Sequence, residues 1–303
     1  MAIRKATPVD LTLLIVTMAF WGLAVVAMKI VAPETGPFWL TVGRAALGLV
    51  VVLPIALMRG LHWPRGLKEW RLVIAISLLV FSIPITLIGW ATLTIDAGVA
   101  TLLMGGSPFF AVIVGHFVTS DEPLTPTKFI GVLMGFCGIL SIIGVDVVLS
   151  VGTANLLSQL AILGGSMCYV TSGFLVRRSS MPPLSLSCWT LFLSTALLVP
   201  VSYVMSGPVP TDLNPNTLIW LLFAGLVATG LAFISRFHLI QTIGYSMFAI
   251  GVNFIPVFGV LFGALILGEV ITPRIALALA LVMGGLFIAR MGTKSGPESA
   301  KAS

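Results

Sequence analysis

One stretch of this chain is written twice. Residues 93–142 contain LLMGGSPFFAVIVGHFVTSDE followed by LTPTKFIGVLMGFCGIL, and residues 241–289 contain GVNFIPVFGVLFGALILGE followed by ITPRIALALALVMGGLFI. At an offset of 148 residues, Pro108, Phe110, Val112 and Gly115 match Pro256, Phe258, Val260 and Gly263. After a one-residue gap, at 147, Glu122, Thr125, Pro126 and Gly138 match Glu269, Thr272, Pro273 and Gly285. The longer offset also pairs Trp21 with Tyr169 and Lys29 with Arg177. A repeat of this length points to two duplicated halves.

The medium of that duplication is the bilayer. Of 303 residues, 58% are hydrophobic and 9% charged, where a soluble domain carries about a quarter charged residues. The mean hydropathy is +1.13. Apolar runs of about 20 residues fit a hydrocarbon core of about 30 Å, and the alternating segments of a transmembrane barrel do not occur. The runs are 10–31, 36–58, 71–91, 96–118, 126–146, 155–177, 184–205, 217–238, 244–267 and 273–291. The sequence therefore predicts an all-α polytopic membrane protein with ten transmembrane helices. Residues 292–303 read as a polar, disordered cytoplasmic tail.

Basic residues orient the spans. With the N-terminus inside, thirteen Lys and Arg fall on the cytoplasmic side, and only Lys29, Arg44 and Arg274 fall opposite. An N-in, C-in topology follows. Each half (10–146 and 155–291) then holds five helices, an odd number, so equivalent helices run in opposite directions. These are inverted-topology repeats, the architecture of secondary transporters that hold substrate near the midplane between the halves.

The net charge of +6 is spread over short loops and is no nucleic-acid footprint. The lead MAIRKATPVD is basic but lacks a cleavage site, which argues against a signal peptide. Cys137, Cys168 and Cys188 lie in apolar runs as buried thiols, with no metal-ligand spacing. No GxxxxGK[ST] is present for ATP-driven pumping, and no cofactor is expected.

The two hairpins, Pro108…Glu122…Pro126 and Pro256…Glu269…Pro273, each followed by a Gly-rich helix, resemble the EamA-type, ten-helix branch of the drug/metabolite transporter superfamily. The resemblance covers roughly residues 10–291 and, through MAFWGLAVVAMK and the aromatic placement, is closest to aromatic amino-acid exporters of that group. It implies a ten-helix basket in a bacterial inner membrane, with helices 1, 3, 4, 6, 8 and 9 around a cavity and helices 5 and 10 at the periphery.

The residues supply the detail. No Asp or Glu lies mid-span; Asp10, Asp96, Glu122, Asp146 and Glu269 all sit at helix ends. Carboxylate-based proton coupling, cationic cargo and an intramembrane carboxylate dyad are disfavoured on that ground. His62, His116 and His238 read as interfacial. Trp21 and Tyr169, mid-span and matched across the repeat, suggest a cavity wall because their polar tips need partners at depth. Phe81, Ile85, Trp90, Leu103 and Phe110 complete the apolar candidates for substrate contact, against a reading as ordinary packing. Trp39, Trp63, Trp70, Trp189 and Trp220 read as interfacial anchors.

Polar candidates are Ser246 and Asn253. The amide of Asn253 either repairs the backbone at Pro256 or faces the cavity. Pro84, Pro108 and Pro256 should bend their helices and act as gating points. Lys29 is near enough to a span end to snorkel. Arg44 is deep enough to want a partner, with Glu34 or Asp96 forming a structural ion pair, or else a substrate carboxylate. Gly131, Gly135 and Gly138, like Ala276, Ala280 and Gly284, form small-residue packing faces, either internal or in a weak homodimer.

The expectation is thus a secondary transporter of small neutral metabolites, foremost aromatic and other neutral amino acids, working by alternating access within the lipid bilayer. Lipophilic drugs or other metabolites are the alternative cargo. A membrane-embedded enzyme is the remote alternative, because no paired catalytic groups share a depth.

Overall fold

The computed structural model describes residues 6–107, 109–110, 112–113, 125–143, 154–243 and 245–291. Helix dominates the described parts of the apolar stretches, and no strand occurs among the described residues. The elements are α1 (Pro8–Met58), α2 (Gly66–Ser77), α3 (Ile83–Ala91), α4 (Ala97–Met104), α5 (Pro126–Ile143), α6 (Ala154–Arg177), α7 (Pro183–Ser206), α8 (Pro215–Leu222), α9 (Ala232–Ile243), α10 (Tyr245–Val252), α11 (Ile255–Leu267) and α12 (Pro273–Met291). Among the described residues, five helical stretches are long and apolar enough to cross a membrane: Pro8–Met58, Gly66–Ala91, Asn155–Val176, Pro183–Ser206 and Pro215–Arg236.

The first helix starts at a capping box. Thr7 and Asp10 exchange bonds, the Asp10 carboxylate accepting from the Thr7 N–H at 2.8 Å and the Asp10 N–H donating to the Thr7 hydroxyl at 3.3 Å. The expected loop at 32–35 is absent. Helix runs up to Gly36, which turns the chain with φ +68° and hands it to Pro37. A residue before proline avoids the α region, and glycine alone enters the left-handed one freely, so a single residue does the work of a loop.

Two stretches depart from α geometry in a way the sequence did not announce. Leu78–Ser82, between α2 and α3, and Phe223–Leu231, between α8 and α9, are π-helical. The first lies directly before Pro84. At the 148-residue offset of the repeat, Phe81 corresponds to Thr229, so the two π segments overlap in register. A second pair behaves alike. Helix stops at Gly105 and Gly106 after α4 and at Asn253 and Phe254 between α10 and α11, again at 148 residues. Pro256 therefore follows a break rather than a smooth bend. Pro108 lies outside the described residues.

Close approach is made by small residues. The outer part of α1 meshes with the helix through α8 and its π segment: Gly43 faces Leu221, Leu47 faces Gly225, Gly48 faces Thr229 and Val51 faces Gly230. The two broken helices cross where Gly105 meets Pro256 and Gly259 meets Thr101. Helix α5 lays Gly131, Gly135 and Gly138 against Gly285 and Ala289, Phe109, and Val282 respectively, so this glycine face is occupied within the chain. Its partner face on α12 is Ala278, Val282, Gly285 and Ala289, all buried. Of the expected α12 stripe, Gly284 does approach Met134 of α5, while Ala276 and Ala280 are exposed, so the packing face is offset from it. Long apolar side chains such as Leu133, Leu140, Phe192, Leu265 and Phe287 point outward, as lipid contact requires.

Candidate functional site

Arg44 occupies the middle of the bundle. The helix from 37 to 58 turns one face inward, and Thr41, Arg44 and Gly48 lie along it. Thr41 shares a hydroxyl–hydroxyl bond of 3.0 Å with Thr86 of α3, and Gly48 rests on Thr229. Between them, Arg44 is 5% exposed. Its Nη1 donates to the Met28 thioether at 2.9 Å, and its Nη2 donates to the Thr229 hydroxyl at 3.3 Å. The guanidinium carbon stands 5.9 Å from the centre of the Phe81 ring. Tyr169 of α6 lies within electrostatic reach. Arg44 Nε has no partner.

This is not the ion pair expected for Arg44. Glu34 accepts instead from the backbone N–H of Asn214 at 3.0 Å, and Asp96 binds Lys29. A cation at the centre of a spanning helix costs roughly 2.5–3.5 kcal/mol on insertion scales. A cation–π contact returns about 0.5–2 kcal/mol, and a thioether is a weak acceptor. The guanidinium carries five donors and has two modest acceptors, so its charge is left under-compensated.

The surroundings are supplied by both π segments, Phe81 from one and Thr229 from the other. Thr229 donates its own hydroxyl hydrogen to the Ala224 carbonyl at 2.8 Å, across the wider π turn. Trp21 braces the same segment, its indole N–H donating to the Ala228 carbonyl at 3.1 Å while its ring meets Phe248 edge-on at 6.0 Å. Two more buried hydroxyls lack partners, Ser82 and Ser166. They flank the crossing of α3 and α6, where Gly165 abuts Pro84.

The remaining candidates are spread over several elements. Phe81 and Ile85 are buried in the central core, with Tyr169 packed against it. Leu103 is buried in that core too, while Trp90 is half-buried at the end of α3. Phe110 stands edge-on to Phe136 of α5 at 5.3 Å, towards the α5–α12 pair. Asn253 is half-buried at the helix break. Ser246 lies on α10, and its side chain is outside the described residues.

Lys29 is paired at the helix end rather than simply solvated. Its ammonium donates to the Ile95 carbonyl at 3.0 Å and pairs with Asp96 at 2.8 Å and Glu269 at 3.2 Å. Glu269 in turn accepts from the backbone N–H groups of Ala97 at 2.6 Å and Gly98 at 2.9 Å. A carboxylate on the first turn of α4 meets the positive end of the helix dipole. It fits because Gly98 and Gly263 have no side chains there. The network thus ties residues of the first half to the second hairpin at one end of the molecule. Glu122, the counterpart of Glu269, lies outside the described residues.

At the opposite end a cleft of about 420 Å³ opens between the halves. Leu13, Ile55, Arg59 and His62 line one side, and Pro182, Ser185, Ile234 and His238 line the other. Trp189 secures its rim, donating to the His62 carbonyl at 2.9 Å and packing edge-on against Trp63 and Trp70. Among the described residues no group of three His, Cys, Asp or Glu is placed to hold a metal.

Comparison with known proteins adds a lineage to this geometry. The model of the EamA-like transporter family matches residues 10–144 and 156–291. YoaV of Bacillus subtilis, an uncharacterized transporter, is 25% identical over 271 residues, covering 88% of this chain and 92% of its own. A probable terminal-alkyne amino-acid exporter of Streptantibioticus cattleyicolor is 22% identical over 281 residues, 91% of this chain and 90% of its own. A probable amino-acid metabolite efflux pump of Salmonella typhimurium is 25% identical over 217 residues, 63% of this chain and 67% of its own. A solved structure sharing 18% identity superposes with a TM-score of 0.68, covering 95% of this chain and all of that one, which relates the folds.

Proposed function

The chain belongs to the EamA-like transporter family, and from that premise we propose that it exports small neutral metabolites, aromatic and other neutral amino acids foremost, across a bacterial inner membrane by alternating access between two inverted halves of five helices. The observation that carries this reading is the cluster of buried Arg44, Phe81 and Thr229 between the halves, with half-buried Tyr169 beside it and Trp21 at its border. It combines aromatic faces for a side chain with polar groups for a zwitterion. Two relatives named for amino-acid export support the substrate class. The shared offset of the π segments and of the helix breaks supports duplicated halves meeting at this site.

The two ends suggest the conformation. One end is latched by Lys29, Asp96 and Glu269; the other carries the cleft lined by Arg59 and His238. With the thirteen-to-three placement of basic residues, the cleft faces the cytoplasm and the latch faces out. Export then requires the latch to part as the cleft closes. No carboxylate at mid-span is available to carry a proton, so substrate moves down its own gradient.

The test is uptake of radiolabelled tryptophan, phenylalanine and threonine into liposomes holding the purified protein, with and without a pH gradient, beside Trp21→Ala. Selective flux indifferent to the gradient and strongly reduced in the variant is the expected result. Absence of flux above empty liposomes from folded protein overturns the amino-acid assignment, and competition by lipophilic drugs would then identify the alternative cargo.

A further inference from the structure

We propose that the Arg44 guanidinium is the docking group for the carboxylate of the transported solute, so that the site selects carboxylate monoanions and zwitterions over the matching amides and amines. The inference rests on the transport reading above and narrows its substrate class.

Three features of the site lead here. Arg44 is 5% exposed and its Nε is unpartnered, while its Nη atoms reach only a thioether and a neutral hydroxyl oxygen, neither of which carries a compensating charge. The acidic side chains nearest in sequence or expectation are engaged elsewhere: Asp96 and Glu269 hold Lys29, and Glu34 holds the Asn214 N–H. Two buried hydroxyls, Ser82 and Ser166, also lack partners on the elements crossing beside Phe81. A fixed cation with spare donors in a planar fork matches a carboxylate, which accepts two parallel N–H bonds. One positive charge balances one negative charge at depth, so a phosphate dianion would enter with an unmet charge.

The position explains how the ligand would be sensed. Met28 and Phe81 approach Arg44 from the helices on either side, and Thr229 approaches from the π segment braced by Trp21. A carboxylate that draws the guanidinium away from Met28 and Thr229 alters contacts in both halves at once. Binding and rearrangement are thereby coupled through one side chain. The repeat mate of Arg44 at the 148-residue offset is Phe192, which faces outward. The charge is a departure from the duplication and not a product of it.

The experiment measures thermal stability of the detergent-solubilised full chain by size-exclusion chromatography after heating, at fixed pH. Probes are phenylalanine, phenylacetate, phenylalaninamide, phenyl phosphate, and a carboxylate panel of threonine, lactate and hexanoate, on wild type, Arg44→Gln and Arg44→Lys. We expect phenylalanine and phenylacetate to raise the melting temperature of wild type by several degrees, phenylalaninamide to leave it unmoved, and Arg44→Gln to abolish the response. Arg44→Lys should retain part of it, since charge survives but the fork does not. Equal stabilisation by phenylalaninamide, or a response persisting in Arg44→Gln, overturns the role of Arg44 while leaving amino-acid export intact. If aromatic probes fail but threonine, lactate or hexanoate stabilise wild type and not Arg44→Gln, the Arg44 inference holds and the aromatic assignment falls. Stabilisation by phenyl phosphate alone, or by no probe, overturns it. Should Arg44→Gln fail to fold, the acid–amide contrast in wild type and Arg44→Lys decides the matter.

Discussion

Lys29 and Arg44 are two cations on the same kinked helix, fifteen residues apart in sequence and opposite in treatment. Lys29 is ringed by a carbonyl and two carboxylates, one of which also caps α4. Arg44 is more deeply buried and has no acidic partner among the described residues, only a thioether, a hydroxyl and an aromatic face. A satisfied cation near a helix end is architecture. An under-satisfied one at the centre is what the proposed carboxylate docking would answer.

That contrast can be broken experimentally, beginning with the largest effect. Arg44→Met is expected to lower amino-acid flux by about 100-fold, the loss that follows from removing about 2.7 kcal/mol of charge-assisted bonding. Its apparent Tm should nevertheless hold or rise, because replacing an uncompensated buried charge by an apolar chain of similar size is neutral or stabilising. A large fall in Tm would mean that Arg44 is architecture after all. Glu269→Ala should do the reverse at the latch: it removes two N–H acceptors and the better-buried partner of Lys29, costing about 2–4 kcal/mol, read as a lowered Tm. Substrate affinity should change far less than in Arg44→Met.

Smaller effects sharpen the comparison. Trp21→Phe deletes the donor to the Ala228 carbonyl and should cost about 0.5–1.5 kcal/mol, seen as a modest drop in Tm. Asp96→Asn removes the exposed member of the latch, half open to solvent, and should change stability by no more than about 1 kcal/mol. If Asp96→Asn proved as damaging as Glu269→Ala, the latch would depend on charge alone rather than on the capped helix end.

The difference between the two cations also separates what local sequence encodes from what distant contacts decide. Both are visible as charges inside apolar runs, while partners of each come from distant parts of the chain. Lys29 was expected to snorkel because its distance from the span end allows it. Its partner Glu269 is 240 residues away, and only the meeting of α4 with the second hairpin brings them together. Arg44 was assigned to a helix away from the centre, because the resemblance placed helix 2 outside the lining set. The meshing of Gly48, Gly225 and Gly230 with their neighbours draws that helix in, and turns Arg44 towards Phe81. Trp21, by contrast, was legible as a polar aromatic at depth, since its N–H had to find an acceptor.

What the sequence alone determined is what depends on local composition and on repetition: a charge-poor helical membrane chain, its duplication at 148 residues, and the absence of a mid-span carboxylate. Those properties follow from the solvent, because the bilayer offers no partners to the polar backbone and leaves a chain of apolar side chains little choice but helix. Tertiary structure alone decided the π segments, the face of α12 that packs on α5, the owner of each carboxylate and the isolation of Arg44. Each of these depends on which helix lies opposite, a relation between residues far apart in the chain that no local pattern records.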